Sequence, residues 1–257
     1  MTMMNKNRFT PRTLHLTPNH VARATRPVED FAYPSAFTRA TDEDYATLVE
    51  QLMAERPEGP LHIFAYGSLI WKPTFEPVTK RRAVARGWHR QFCMLIRGHR
   101  GTPEAPGLMM ALMSGGRCVG LALEVAAGTE RQVLEDLCRR ELPFVETLAD
   151  HRWLQLDTVE GPIRGLVFWA GPTGPNIRRS FPLPLAAAQM ARACGPRGST
   201  AEYLHNTVRS LEEHGIRDRN LWTLQRLVAE EINTMPLGQV QRVEPSAASQ
   251  PPVMPVN

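Results

Sequence analysis

Cysteine is scarce in this chain of 257 residues, and none of it is paired. Cys93, Cys118, Cys138 and Cys194 stand far apart, none in a C-x-x-C spacing and each among apolar neighbours. That excludes a disulfide framework and a zinc site, and it describes reduced, buried thiols of a cytoplasmic protein. Cys138 has no histidine close by in sequence to make it a nucleophile. The eight histidines contain no H-x-x-x-H pair, so no metal centre is read from them. No apolar run approaches the length of a membrane span. The N-terminus has no apolar core of a signal peptide. Residues 6–26 carry Arg, Thr and Asn without an acid, which leaves a transit peptide open, but Thr10-Pro11 and Thr17-Pro18 interrupt any long amphipathic helix. A concentrated basic stripe is also missing. The net charge is +4 and the pI near 9.1, yet the arginines are scattered. A nucleic-acid partner is not expected, and the five tryptophans are assigned to core or pocket wall. No internal repeat is present.

What remains is an ordinary soluble composition with enough chain to bury a core. Residues 1–60 read as a polar, Pro-interrupted arm with one or two helices. Thr17 and Pro18 open the first. Thr41 caps the second, followed by three acids and by Tyr45, Leu48, Leu52 and Met53 at helical spacing. A role for the arm in covering a sheet edge is open. From 61 to 235 strands come first, then one helix, strands, and finally helices. Strand material runs over 61–66 and over 80–97, bent at Gly87-Trp88. Residues 108–113 and 118–125 read as a hairpin turning at Ser114-Gly115-Gly116, and 151–159 with 163–169 as a second hairpin. Helices follow at 129–142, where Thr129 and Gln132 suit a capping box, then at 185–193, at 199–215 capped by Ser199, and from Asp218 or Asn220 onward. Residues 236–257, rich in Gln, Ser and Pro, read as a disordered tail. Hairpins without βαβ alternation predict an α+β protein with a mixed, mostly antiparallel sheet of about six strands.

Two stretches carry chemistry. The first is Leu61 to Pro73. Ile63, Phe64 and Tyr66 suit a buried strand, and Gly67-Ser68 ends it. A glycine and a hydroxyl after a buried strand make a rim of backbone N–H groups fit for a carboxylate; the same residues also describe a strand with a tight turn. The second is the helix at 129–142. Glu141 follows Leu134 by seven and Leu137 by four, which puts its carboxylate on the apolar stripe. Three readings stand there: an ion pair with a nearby arginine, a frayed helix end, or a carboxyl group whose pKa is raised for proton transfer.

The string Phe64-Ala65-Tyr66-Gly67-Ser68-Leu69-Ile70-Trp71-Lys72-Pro73 resembles the signature of the ChaC family of γ-glutamylcyclotransferases. Ala65 stands where most members have glycine. Arg140-Glu141 is similar to that family's Arg-Glu helix end. Arg100-Gly101-Thr102 with Pro106-Gly107 resembles its loop, although Leu108 replaces the arginine that usually follows. Gly195-Pro196-Arg197-Gly198 with Ala201-Glu202-Tyr203-Leu204 resembles its late motif, in which a tyrosine faces the active site. The resemblance covers about residues 61–232. It implies a small, mostly antiparallel β-barrel with flanking helices. It implies cleavage of glutathione to 5-oxoproline and Cys-Gly, with no cofactor and no metal, by attack of the substrate's own α-amine on its δ-carbonyl. It also implies Glu141 as the catalytic acid/base, with Glu146 as rival, and Ile63, Phe64, Ala65, Tyr66, Gly67, Ser68, Leu69 and Tyr203 as substrate-binding residues. Tyr203 suits a helix interface equally well. A non-catalytic γ-glutamyl-binding or transport-regulating protein is the alternative function. The oligomeric state is not readable.

Overall fold

The computed structural model describes residues 10–31, 37–171, 176–178 and 181–236. The tail expected at 236–257 lies outside them, Pro236 apart, as do parts of the loop at 171–184. Thirteen elements follow in order: α1 (Pro18–Ala24), α2 (Asp42–Glu55), β1 (His62–Ala65), β2 (Lys80–Ile96), β3 (Gly107–Glu124), α3 (Glu130–Glu141), β4 (His151–Thr158), β5 (Gly161–Phe168), α4 (Leu183–Arg192), β6 (Cys194–Gly195), β7 (Gly198–Ser199), α5 (Thr200–Glu213) and α6 (Arg219–Thr234).

Five strands close into a barrel in the order β1-β3-β2-β4-β5, and β5 returns parallel to β1 at Ile63 and Leu166. All other neighbours are antiparallel. The barrel has five strands and not about six, because the hairpin expected at 108–125 does not exist. Residues 107–124 are one strand, paired with β2 along its length. Ser114-Gly115-Gly116 is a kink. The register slips there, opposite a slip at Gly87, and all three glycines hold positive φ. Two facing irregularities bend both strands together, so the pair curves into the barrel without reversing. The turn lies instead at 97–106.

Alternation sorts the side chains. Phe64, Ala83, Ala85, Leu112, Cys118, Ala122, Leu156 and Val167 come from all five strands and meet inside the barrel. Ile63, Ala65, Leu121, Leu123 and Leu166 face outward and pack under the helices, together with Val133, Leu134, Leu137 and Cys138 of α3. The four cysteines are free and buried.

Helix starts follow local chemistry. Thr17 and Thr41 form capping boxes, and Ser199 and Asp218 accept from the backbone of the third residue on. The capping box expected at Thr129 is absent. Thr129 Oγ1 donates to Ala126 O (2.8 Å), and Gln132 reaches forward to Asp136. Glu130 takes the orphan amide of Gly128 (2.7 Å) instead.

In the N-terminal arm α1 lies on α5 and α6 and α2 packs against α3, and the closed barrel leaves the arm no barrel edge to cover. Leu16 is fully buried; its N–H donates to Gln225 (2.8 Å) and its carbonyl meets His205 Nδ1 (2.7 Å). Arg12 stacks on Trp222 and pairs with the buried Glu212 carboxylate (2.5 Å). Burial pushes the Glu212 pKa up, but the Arg12 hydrogen bonds outweigh it, and the net shift is downward from 4.5. A depressed carboxyl pKa stabilises the fold above the unfolded pKa, and that stability is lost as pH falls through the folded value. Arg12→Ala is therefore expected to cost about 1–2 kcal/mol near neutrality, discounted because Arg12 is about one-third exposed. Thermal melts against pH would show the gap from wild type closing under acid. Equal melting temperatures at pH 7 would refute it.

Candidate active site

β1 ends at Ala65, and the chain turns at once into a single 3-10 turn at Ser68–Ile70. Ile70 N–H donates to Gly67 O (3.0 Å), while Ser68 O accepts from Trp71 and Lys72. The amides of Ser68 and Leu69 open this turn and have no partner within it. Gly67 keeps the space above them clear: a Cβ there would stand 3.3 Å from Met110 Sδ and 3.4 Å from the Tyr203 hydroxyl.

Glu141 is the last residue of α3 and continues its buried stripe of Val133, Leu134, Leu137 and Cys138. Its Oε1 is buried and lies 3.0 Å from Arg140 Nε, without the alignment of a hydrogen bond. Burial raises the Glu141 pKa above 4.5, and the Arg140 charge opposes the rise. Tyr203, on α5, is buried between Trp71 and Phe92, both edge-on to its ring. Burial first, then the Glu141 charge, push its phenol up to about 12. Tyr66 is pushed well above 10 by burial, with Glu141 next in weight. Both phenols therefore stay protonated near neutrality. Phe64, Tyr66, Gly67, Ser68, Leu69, Glu141 and Tyr203 line one cleft with Met109, Met110 and Phe168, around about 40 Å³ of free space.

A family model described as "ChaC-like protein" matches residues 61–231. The chain belongs to that family. The ChaC-like chain is 34% identical over 198 residues to the glutathione-specific gamma-glutamylcyclotransferase of Escherichia coli (strain K12), covering 75% of this chain and 85% of that one. It is 30% identical over 189 residues to gamma-glutamylcyclotransferase 2-1 of Arabidopsis thaliana, covering 68% and 88%. Among solved structures, the selenomethionine-labelled glutathione-specific gamma-glutamyl cyclotransferase from yeast matches with a TM-score of 0.58 at 19% identity, over 68% of this chain and 97% of that one. That likeness is one of fold.

Most of the residues that the family resemblance singles out meet in this cleft. Ile63 and Ala65 are the exceptions. They alternate to the outer face of β1 and are fully buried under the helices. Glu146 stands elsewhere: it is exposed, accepts the Thr38 N–H (3.1 Å), and has a lowered pKa from that bond. Leu108 is fully buried in the core. Met109, Met110 and Phe168 were not legible as pocket residues, since nothing local distinguishes them from other strand residues. A larger groove of about 440 Å³ lies at Thr25–Glu29 and Gly195–Gly198. It is open and is lined by no tyrosine, so the chemistry is assigned to the smaller cleft. Among the described residues no three His, Cys, Asp or Glu side chains gather to hold a metal ion, and no helix is long and apolar enough to cross a membrane.

Proposed function

We propose that this chain is a glutathione-specific γ-glutamylcyclotransferase, with residues 61–235 as its catalytic unit. The observation that carries the reading is the cleft itself. A half-buried carboxyl group with a raised pKa shares the cleft with two protonated phenols and with the tight turn at Ser68 and Leu69. The similarity to the E. coli enzyme along most of both chains supports glutathione as substrate.

The nucleophile and the electrophile belong to one substrate molecule, so the protein's task is to bend it and to move protons. The amides of Ser68 and Leu69 hold the α-carboxylate and favour charge developing on the δ-carbonyl oxygen. Glu141 takes a proton from the α-ammonium, which frees the amine to attack the δ-carbonyl. The same carboxyl group then protonates the leaving nitrogen as the C–N bond breaks, and the second proton shed by the attacking nitrogen goes to the released amine, which departs as an ammonium. One lactam bond forms, one amide bond breaks, and no water is consumed. Met109 and Met110, unbranched and flexible, form a wall of the cleft that can adapt to the substrate. The buried free cysteines suit a reducing cytoplasm as the place of action.

Incubation with glutathione and mass detection of 5-oxoproline and Cys-Gly tests the reading. Wild-type protein inert toward both glutathione and γ-glutamyl-alanine would overturn it. Tyr203→Phe keeps the ring packing but removes a hydrogen-bond donor, and is expected to lower kcat/KM about tenfold. Unchanged kcat/KM would remove Tyr203 from the substrate contacts.

A further inference from the structure

Arg140 touches both halves of the cleft. Its Nη2 donates to Ser68 Oγ (3.0 Å) and its Nη1 to the Lys72 carbonyl, while Nε stands 3.0 Å from Glu141 Oε1. One planar fork therefore joins the turn that follows β1 to the end of α3. These segments are 72 residues apart in sequence. We propose that Arg140 is a positioning residue that holds the Glu141 carboxylate beside the Ser68 turn. The proposal rests on the reading of Glu141 as the proton carrier.

Three features of the geometry argue for it. First, a guanidinium has donors only and does not release its proton, so Arg140 holds a charge in place without competing for the proton in transit. Second, Oε1 is not aligned for a hydrogen bond with Nε, so its lone pairs stay free to receive a substrate proton. Third, the fork reaches three groups at once: Ser68 Oγ and the Lys72 carbonyl accept from it, and Glu141 Oε1 lies beside it. Lysine carries one point charge and cannot span Ser68, Lys72 and Glu141 together.

The groups facing Glu141 are Arg140 on its own helix, Tyr66 after β1 and Tyr203 on α5. Both phenols stay neutral, so Arg140 is the cation that opposes burial. Without it the carboxyl group holds its proton to higher pH.

The test uses protein labelled with ¹³C at the glutamate carboxyl carbon, with Glu141→Gln to assign the signal, and needs no substrate. Glu141 is expected to titrate at higher pH in Arg140→Gln than in wild type, and close to wild type in Arg140→Lys. The acid limb of kcat/KM should move in the same way, because the base must be ionised. Arg140→Lys, which keeps the charge and loses the fork, is expected to lower kcat about tenfold with KM nearly unchanged. A Glu141 titration that is the same in Arg140→Gln and wild type overturns the proposal, and so does wild-type kcat in Arg140→Lys. If Arg140→Gln does not fold, the kcat of Arg140→Lys decides. If wild-type protein turns over no γ-glutamyl compound, the function fails, and the titration alone decides whether Arg140 governs Glu141.

Discussion

Glu141→Gln is expected to lower turnover of glutathione by about a thousandfold or more while leaving the fold intact. General acid–base groups typically contribute about 10²–10⁴ in rate, and here one carboxyl group serves two proton transfers in succession. Glutamine matches the shape and volume but carries no exchangeable acid proton. The variant also has a stability signature that separates it from a damaged fold. The folded pKa of Glu141 is raised by burial. A raised pKa contributes stability that is complete below the unfolded value and is lost as pH rises through the folded one. As pH rises through the folded value, wild type gains a charge on a half-buried carboxyl group that the variant lacks. Glu141→Gln should melt at or above the wild-type temperature at pH 7, and the difference should disappear in acid. A folded variant that keeps a tenth of wild-type turnover would remove Glu141 from the mechanism.

The second large effect is structural and lies directly under the site. Gly120, on β3, faces into the barrel where the Phe64 ring lies. A Cβ at this position would stand 2.4 Å from the Ala65 carbonyl oxygen and 2.8 Å from two atoms of that ring. A flexible side chain can move aside, but Ala65 O is backbone of β1, two residues before the Gly67-Ser68 turn. Gly120→Ala must separate β1 from β3 or expel the Phe64 ring from the interior. Overpacking of this kind costs about 3 kcal/mol or more, on the order of 6–12 °C in melting temperature for a domain of this size. Activity should fall further than stability alone explains, since a shift of β1 carries Ser68 away from Glu141. A variant with wild-type melting temperature and turnover would show that the barrel yields at this point.

Features made by residues close in sequence could be read without the structure. Thr17, Thr41, Ser199 and Asp218 cap their helices through bonds that span three residues. The end of β1 shortly before Gly67 follows from the glycine, and the place of Glu141 on the α3 stripe follows from helical spacing. Thr129 misled because its hydroxyl satisfies the preceding turn at Ala126, an equally local partner that the cap pattern does not weigh. Ser114-Gly115-Gly116 misled for another reason. Two glycines among strand residues describe a turn and a kink equally well, and the choice depends on Gly87 in the strand opposite.

By itself the sequence determined the class of fold, the family and most of the helix caps, through short-range patterns and motifs. The tertiary structure alone decided that the barrel closes on five strands, that Ile63 and Ala65 turn away from the cleft, and that Met109, Met110 and Phe168 wall it. It also decided that Arg140 joins Ser68 to Glu141. Closure depends on the parallel contact of β5 with β1, about a hundred residues apart in the chain. The pKa of a carboxyl group depends on what surrounds it in space. Neither is a property of neighbouring residues, so neither leaves a mark in the local pattern.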